Sequence, residues 1–272
     1  MTPLSLHRKL VIVGALVLAA CSTGFAQLPN LGMGGLGGKN DGVSTDFLAL
    51  AKLFGSNTTF TAKLDMRVYK DQKESASIPM NFAKLDDKIR LDLDATQIKN
   101  EAMPAGSGEI MKQAGLDRII VTIRPDLNMR FVSFPGIQSC LQNPLSKEEA
   151  ATLIEKQKLD CTVLGKETID GHPCVKNKVV AGGEKGKQTE YTVWNATDLK
   201  NFPVQILTKE KADTIILRYK DVRFVKTEPK QFDLPTGFAA YTDPNDLMKA
   251  LVMKMATEGG GTPAGGTSAE EK

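Results

Sequence analysis

The chain has 272 residues, a net charge of +3 and a charged fraction of 25%, with Lys and Arg mixed among Asp and Glu. That mixture forms no basic stripe and argues against nucleic acid as a partner. Aromatic residues make up 6%, too sparse a set for a base-stacking platform, and the 41% apolar fraction is that of a globular chain.

The N-terminus reads as a targeting signal over residues 1–20 or 1–26. His7-Arg8-Lys9 form a charged region. Leu10 to Ala20 form an apolar run too short to span a bilayer. Leu18-Ala19-Ala20-Cys21 has the form of a lipobox, in which Cys21 would become the lipidated first residue. Gly24-Phe25-Ala26 has the form of an ordinary small-x-small cleavage site. Both stay open, and either one takes the protein out of the cytoplasm. Residues 27–43 follow as a Gly-rich linker. They contain Gly32-x-Gly34-x-x-Gly37, but no strand precedes it and no βαβ unit follows, so the dinucleotide fingerprint lacks its context.

The folded domain is expected over 44–257. Ser44 or Thr45 can cap a short helix with Phe47, Leu50, Ala51 and Phe54 on one face, and Gly55 can end it. The period then changes to two. Phe60, Ala62, Leu64, Met66 and Val68 alternate with polar partners, as do Ile78, Met80 and Phe82, then Ile89, Leu91 and Leu93. Three such strands with short connections predict an antiparallel meander. A short helix over 109–114 precedes strands at 118–124, 128–134 and 137–141. Ser146-Lys-Glu-Glu149 is a capping box opening a helix. Asp170-Gly171 predicts a tight hairpin between 162–169 and 172–181, because both turn positions need positive φ. Further strands are expected at 188–195, 204–208 and 214–225, the last bent near Lys220-Asp221, with Phe232-Asp-Leu-Pro235 closing the sheet. Asp243 caps a final helix with Pro244 at its first position. From 258 to 272 a Gly/Thr/Ser tail is expected to be disordered.

These elements predict a mainly β (α+β) protein. A curved antiparallel sheet forms an unclosed β-barrel, with helices over its concave face; a two-sheet sandwich is the rival. Beyond Cys21, the cysteines are Cys140, Cys161 and Cys174. In an oxidising compartment two are expected to pair. Cys161–Cys174 is disfavoured, since the hairpin sets Cys174 opposite Glu167. Cys140–Cys161 would clip the intervening helix and is the favoured disulfide. The chain has no C-x-x-C, hence neither a zinc ribbon nor a thioredoxin-type motif.

Chemistry has few candidates. His172 is the one histidine outside the signal segment. Asp170, His172 and Cys174 are too close in sequence to be placed independently, and His-Pro after a turn reads as structural. Asp86-Asp87 occupies a turn, and Asp92 and Asp94 project from the wet face of a strand. No nucleophile elbow or paired-histidine metal motif occurs, so neither an enzyme nor a metal or cofactor is expected. The last helix is more informative: Met248, Met253 and Met255 lie on it, and methionine suits surfaces that adapt to varied apolar partners.

Several runs resemble a known family. Glu167-Thr-Ile-Asp-Gly-His-Pro-Cys-Val-Lys176, Tyr191-Thr-Val-Trp-Asn-Ala-Thr-Asp-Leu-Lys-Asn-Phe-Pro-Val204, Tyr219-Lys-Asp-Val222 and Phe232-Asp-Leu-Pro235 resemble the second half of LolA-like envelope proteins. Lys88-Ile-Arg-Leu-Asp92 and Ile123-Arg-Pro-Asp-Leu-Asn128 resemble strands of the first half. The resemblance covers roughly 45–240, to an uncharacterised branch of the lipoprotein-carrier superfamily in Gram-negative bacteria. It implies an envelope location, in the periplasm or lipid-anchored to the outer membrane, and a non-enzymatic monomer that binds a lipid or a lipoprotein acyl chain. The alternative is a structural or stress-sensing interaction module on the same scaffold. The residues expected to line the ligand site are Phe60, Leu64, Met66 and Leu91 on the strands, with Met248, Leu251 and Met255 on the last helix.

Overall fold

The computed structural model describes residues 50–146, 149, 159–182, 188–210 and 213–258. The signal segment with Cys21, the Gly-rich linker, the first helix cap at Ser44 or Thr45 and the C-terminal tail lie outside the described residues, as does the side chain of Met255.

Among the described residues, thirteen strands form one sheet. They are β1 (Thr59–Lys70), β2 (Lys73–Leu85), β3 (Lys88–Asp94), β4 (Lys99–Asn100), β5 (Arg118–Arg124), β6 (Met129–Phe134), β7 (Ser139–Pro144), β8 (Leu159–Ile169), β9 (His172–Gly182), β10 (Gln188–Ala196), β11 (Phe202–Glu210), β12 (Asp213–Arg223) and β13 (Ala239–Tyr241). The order across the sheet is β13-β7-β6-β5-β3-β2-β1-β12-β11-β10-β9-β8, with β4 on the side of β2. All neighbours are antiparallel except β13, which runs parallel to β7. Helix α1 spans Ser107–Gln113 and α2 spans Pro244–Glu258; short 3-10 turns fill the connections. The sheet is curved and unclosed, and its helices lie over the concave face. A single sheet rules out the sandwich.

Alternation builds the curve. Along β1, Phe60, Ala62, Leu64, Met66 and Val68 are buried while their neighbours are partly or fully exposed. Cross-strand partners agree in face: Leu64 stands opposite both Met80 and Tyr219, and Phe82 opposite Leu91. Each fully buried Leu, Ile or Phe on this face is worth about 1.5–3 kcal/mol of transfer free energy. The predicted meander is therefore observed as β1-β2-β3. The expected bend in β12 is also present. Asp221 has φ 52, and the pairing with β1 shifts between Lys63↔Lys220 and Thr61↔Arg223, as an extra residue in one strand produces.

Turn and cap chemistry hold as expected. Asp170 and Gly171 have φ 49 and 87, closing the β8–β9 hairpin with Glu167 opposite Cys174. The Ser146 amide donates to Glu149 Oε2 at 2.8 Å and the Glu149 amide donates to Ser146 Oγ at 3.1 Å, which is the capping box. Asp243 Oδ1 accepts from the Asn245 amide at 2.7 Å at the start of α2. One contact demands glycine: a Cβ on Gly136 would meet the Gly115 carbonyl oxygen at 2.4 Å, so the β6–β7 turn seats directly on the chain leaving α1.

Two expectations are corrected. Phe232-Asp-Leu-Pro235 is no strand. Pro229–Phe232 forms a 3-10 turn, and Phe232 packs with Ala83 and Leu85 on the outer side of the sheet. Pro229 and Pro235 each lack the amide a ladder needs. The sheet is instead extended by β13. The Cys140–Cys161 disulfide is not formed, and Cys140, Cys161 and Cys174 are free thiols. Cys140 is buried in β7, with its thiol against Ser133 Oγ and the Leu141 carbonyl. Cys161 is exposed on β8, at the far end of the strand order.

Candidate functional site

The concave face has two characters. At the end where β1 begins, an aromatic cluster fills the interior. Phe54 arrives on a 3-10 turn (Ala51–Phe54), Phe60 on β1, Phe82 on β2, Phe202 on β11 and Tyr219 on β12. Phe60 and Phe82 stack with centroids 5.4 Å apart and 8° between planes, and Phe202 meets Phe60 edge-on at 4.8 Å. Phe54 lies 4.9 Å from Phe60 and 5.4 Å from Tyr219. Such tilted and stacked pairs add about 0.5–1.5 kcal/mol each beyond area burial. Burial pushes the Tyr219 phenol far above its usual range, so it stays neutral.

Further along β1 the lining turns aliphatic. Leu64 and Met66 lie opposite Met80 and Ile78 on one side and Tyr219 and Leu217 on the other. Leu91 continues the surface on β3, facing Phe82 and Val121. Of the expected lining residues, Phe60, Leu64, Met66, Leu91 and Leu251 are buried, and Met248 is half-buried against the same core. They belong to one continuous apolar cluster that α2 joins through Leu247 and Leu251. Met253, on the same helix, is 70% exposed.

A charged contact stands at one end of this face. Arg130 on β6 shares the face of Val132 and Phe134, and its Nη2 donates to Glu149 Oε1. Both side chains are buried. This pair holds Glu149, a member of the capping box, against the sheet. It was not legible in sequence, because nothing local marks Arg130 as inward-facing.

Polar side chains pair around the β8–β9 hairpin and on β3. His172 Nδ1 lies 2.8 Å from Asp198 Oδ2, so the histidine has an acidic partner 26 residues away. The Cys174 thiol sits nearby and donates to the His172 carbonyl oxygen at 3.3 Å. Burial pushes that thiol up, and Asp198 and Glu167 push it further, so a thiolate nucleophile is disfavoured. Asp170 instead meets Arg218 Nη1 at 3.5 Å. On neighbouring strands Trp194 Nε1 donates to Glu167 Oε2 and Lys176 Nζ donates to Glu167 Oε1, both at 2.7 Å, and the lysine ammonium lies 5.1 Å from the indole centroid. Asp92 accepts from Arg118 Nε at 3.0 Å and Nη2 at 2.6 Å, with Arg90 Nη2 at 3.4 Å. Burial alone would raise the Asp92 pKa, but the two guanidiniums outweigh it and hold the carboxyl below its usual range. Among the described residues no group of three or more His, Cys, Asp or Glu side chains is placed to hold a metal ion.

No family model and no curated protein matches the chain. Solved structures do match. One is lipoprotein LppX of Mycobacterium tuberculosis, at 12% identity and TM-score 0.38, covering 66% of this chain and 96% of that one. Another is LprF of Mycobacterium bovis, at 9% identity and TM-score 0.33, covering 68% and 95%. A third is a LolA superfamily protein of Nitrosomonas europaea, at 10% identity and TM-score 0.36, covering 71% and 99%.

Proposed function

We propose that the protein is a non-enzymatic envelope protein that takes an acyl chain, of a lipid or a lipoprotein, against the concave face lined by Phe60, Leu64, Met66 and Leu91, beneath Met248, Leu251 and Met255 of α2. The observation that carries the reading is how lightly α2 is fastened. Among its described side chains only Leu247 and Leu251 are fully in the core. Lifting them costs about 3–6 kcal/mol at about 1.5–3 kcal/mol per side chain. An acyl chain gains about 0.8 kcal/mol for each methylene buried. About eight buried methylenes therefore offset the opening, and a membrane-lipid chain carries more. The buried methionines at 66 and 80 give the strand lining the adaptability such a guest needs. An anchor at Cys21 would keep the protein at the outer membrane as a monomer.

Native mass spectrometry of the protein purified from membranes without delipidation tests this reading. Bound acyl species are expected, together with uptake of a fluorescent fatty acid. Repeated recovery free of ligand, with no uptake, would sink it.

The alternative, an interaction module, is favoured by a different feature. β8 pairs with β9 alone among the described residues, and its Val163 and Leu164 are 66% and 53% exposed. An open edge strand of that kind can add a strand from a partner. Capture of one periplasmic protein by the β8 edge, without acyl uptake, would decide for this alternative.

A further inference from the structure

A groove of about 560 Å³ lies on the outer face of the sheet, across β12, β1, β2 and β3 and the start of β5. It is a built feature. The strap Pro229–Phe232 crosses the outer face and is pinned there by Phe232 against Ala83 and Leu85. Arg90 Nη1 donates to the Gln231 carbonyl at 2.6 Å, and Arg124 Nη1 donates to the Phe232 carbonyl at 3.2 Å. Gln231 thus becomes one wall, and the floor is Thr61, Asn81 and Ala83.

Four cations reach this groove, Lys63, Arg90, Arg118 and Arg223, against two carboxylates, Asp92 and Asp221. Lys63 and Asp221 neutralise one another at 2.7 Å. Asp92 is shared by two guanidiniums, so one arginine charge there is left over. Arg223 is exposed and forms no hydrogen bond or ion pair with a described residue. Asp221 also lies within electrostatic reach of Arg223 and Lys220, and Asp117 within reach of Arg118, so five cations face three carboxylates and the surplus stays positive. Arg90 is held at 19% side-chain exposure by its two partners, whereas Arg118 is 55% exposed and keeps free donors. The remaining donors of Arg118, the unengaged guanidinium of Arg223 and the surplus charge suit a phosphate, whose oxygens accept N–H donors.

The geometry points to a phosphate site in this groove, with Arg118 and Arg223 as the residues that contact the anion and Arg90 as a positioning residue. The phosphate can be free or can belong to a lipid headgroup. The site is separate from the apolar interior and does not depend on it.

The test uses the full chain and two probes. Inorganic phosphate is titrated calorimetrically. Phosphatidylcholine vesicles with and without phosphatidylglycerol are used for co-sedimentation. The variant is Arg223→Glu, which breaks no hydrogen bond or close ion pair with a described residue and loses only the electrostatic reach to Asp221; Lys112→Glu on α1 matches its charge change away from the groove. Saturable binding of phosphate, or binding of vesicles that requires phosphatidylglycerol, weakened at least about tenfold by Arg223→Glu and not by Lys112→Glu, is expected. Binding of phosphate identifies a free anion, and binding of vesicles alone identifies a headgroup. No binding of either probe, or equal loss in both variants, overturns the site. Fatty-acid uptake should be unchanged in Arg223→Glu, which keeps this result apart from that on the concave face.

Discussion

At the scale of single residues, two charges illustrate how position decides worth. Arg130 and Glu149 are both buried, so removing one partner strands the other in a low-dielectric interior. Glu149→Ala is expected to cost about 3–5 kcal/mol in urea unfolding, part of it from the lost capping box. The double replacement Arg130→Met/Glu149→Leu should cost less than that single change, because it leaves no orphaned charge. Asp92 differs in keeping part of its carboxylate at the surface, where two arginines hold it. Its folded pKa is below the ordinary 3.8, so folding favours its ionised form. That stabilisation is complete above the ordinary value and fades as pH falls below it. The loss of stability on acidification from about pH 4.5 to pH 2 should therefore be shallower in Asp92→Asn than in the parent protein; equal slopes would contradict the pairing. Neither charge was assigned its part from sequence. Asp92 could be placed on the wet face by alternation, but Arg118 and Arg90 reach it across strands, and the spacing of residues along the chain does not encode that.

At the scale of elements, the long strands were legible and the short ones were not. β1 shows its period over five buried positions, and the Asp170-Gly171 turn states its own geometry. β4 and β13, at two and three residues, are too brief to show any period. The strap containing Phe232 misleads for a related reason. A lone aromatic between prolines resembles a strand end, yet its partners Ala83 and Leu85 are the outward residues of β2, visible only once the sheet exists. The candidate interior was legible as a set of alternating apolar residues, whereas the aromatic plug of Phe54, Phe202 and Tyr219 assembles from distant segments. β8 carries an expected outcome of its own. It is exposed on both faces through most of its length, with a register break at Leu164. Val163→Lys should leave stability within about 0.5 kcal/mol of the parent and slow aggregation measured by light scattering, since a charge on an open edge discourages strand addition. Unchanged aggregation would show that the edge is already covered.

At the scale of the whole molecule, the strand order divides the chain unevenly. β1 to β7 are neighbours of one another apart from small β4, and β8 to β12 form a second run of successive hairpins. The runs meet where β12 pairs with β1, and the chain returns at the other side where β13 lies along β7. The later half of the polypeptide therefore grips both margins of the earlier half. A ribosome makes the earlier half first, so for a time that half has two bare margins, each with unsatisfied amides and an apolar inner surface. A fragment ending at 146 is expected to be insoluble alone and to be rescued by co-expression of 159–258, read out as recovered soluble protein. Soluble, structured 1–146 by itself would refute this. During synthesis the β1 margin thus stays bare until β12 emerges and the β7 margin until Ala239–Tyr241 emerge, and a holdase that shields the nascent first half would have its greatest effect on yield in that interval.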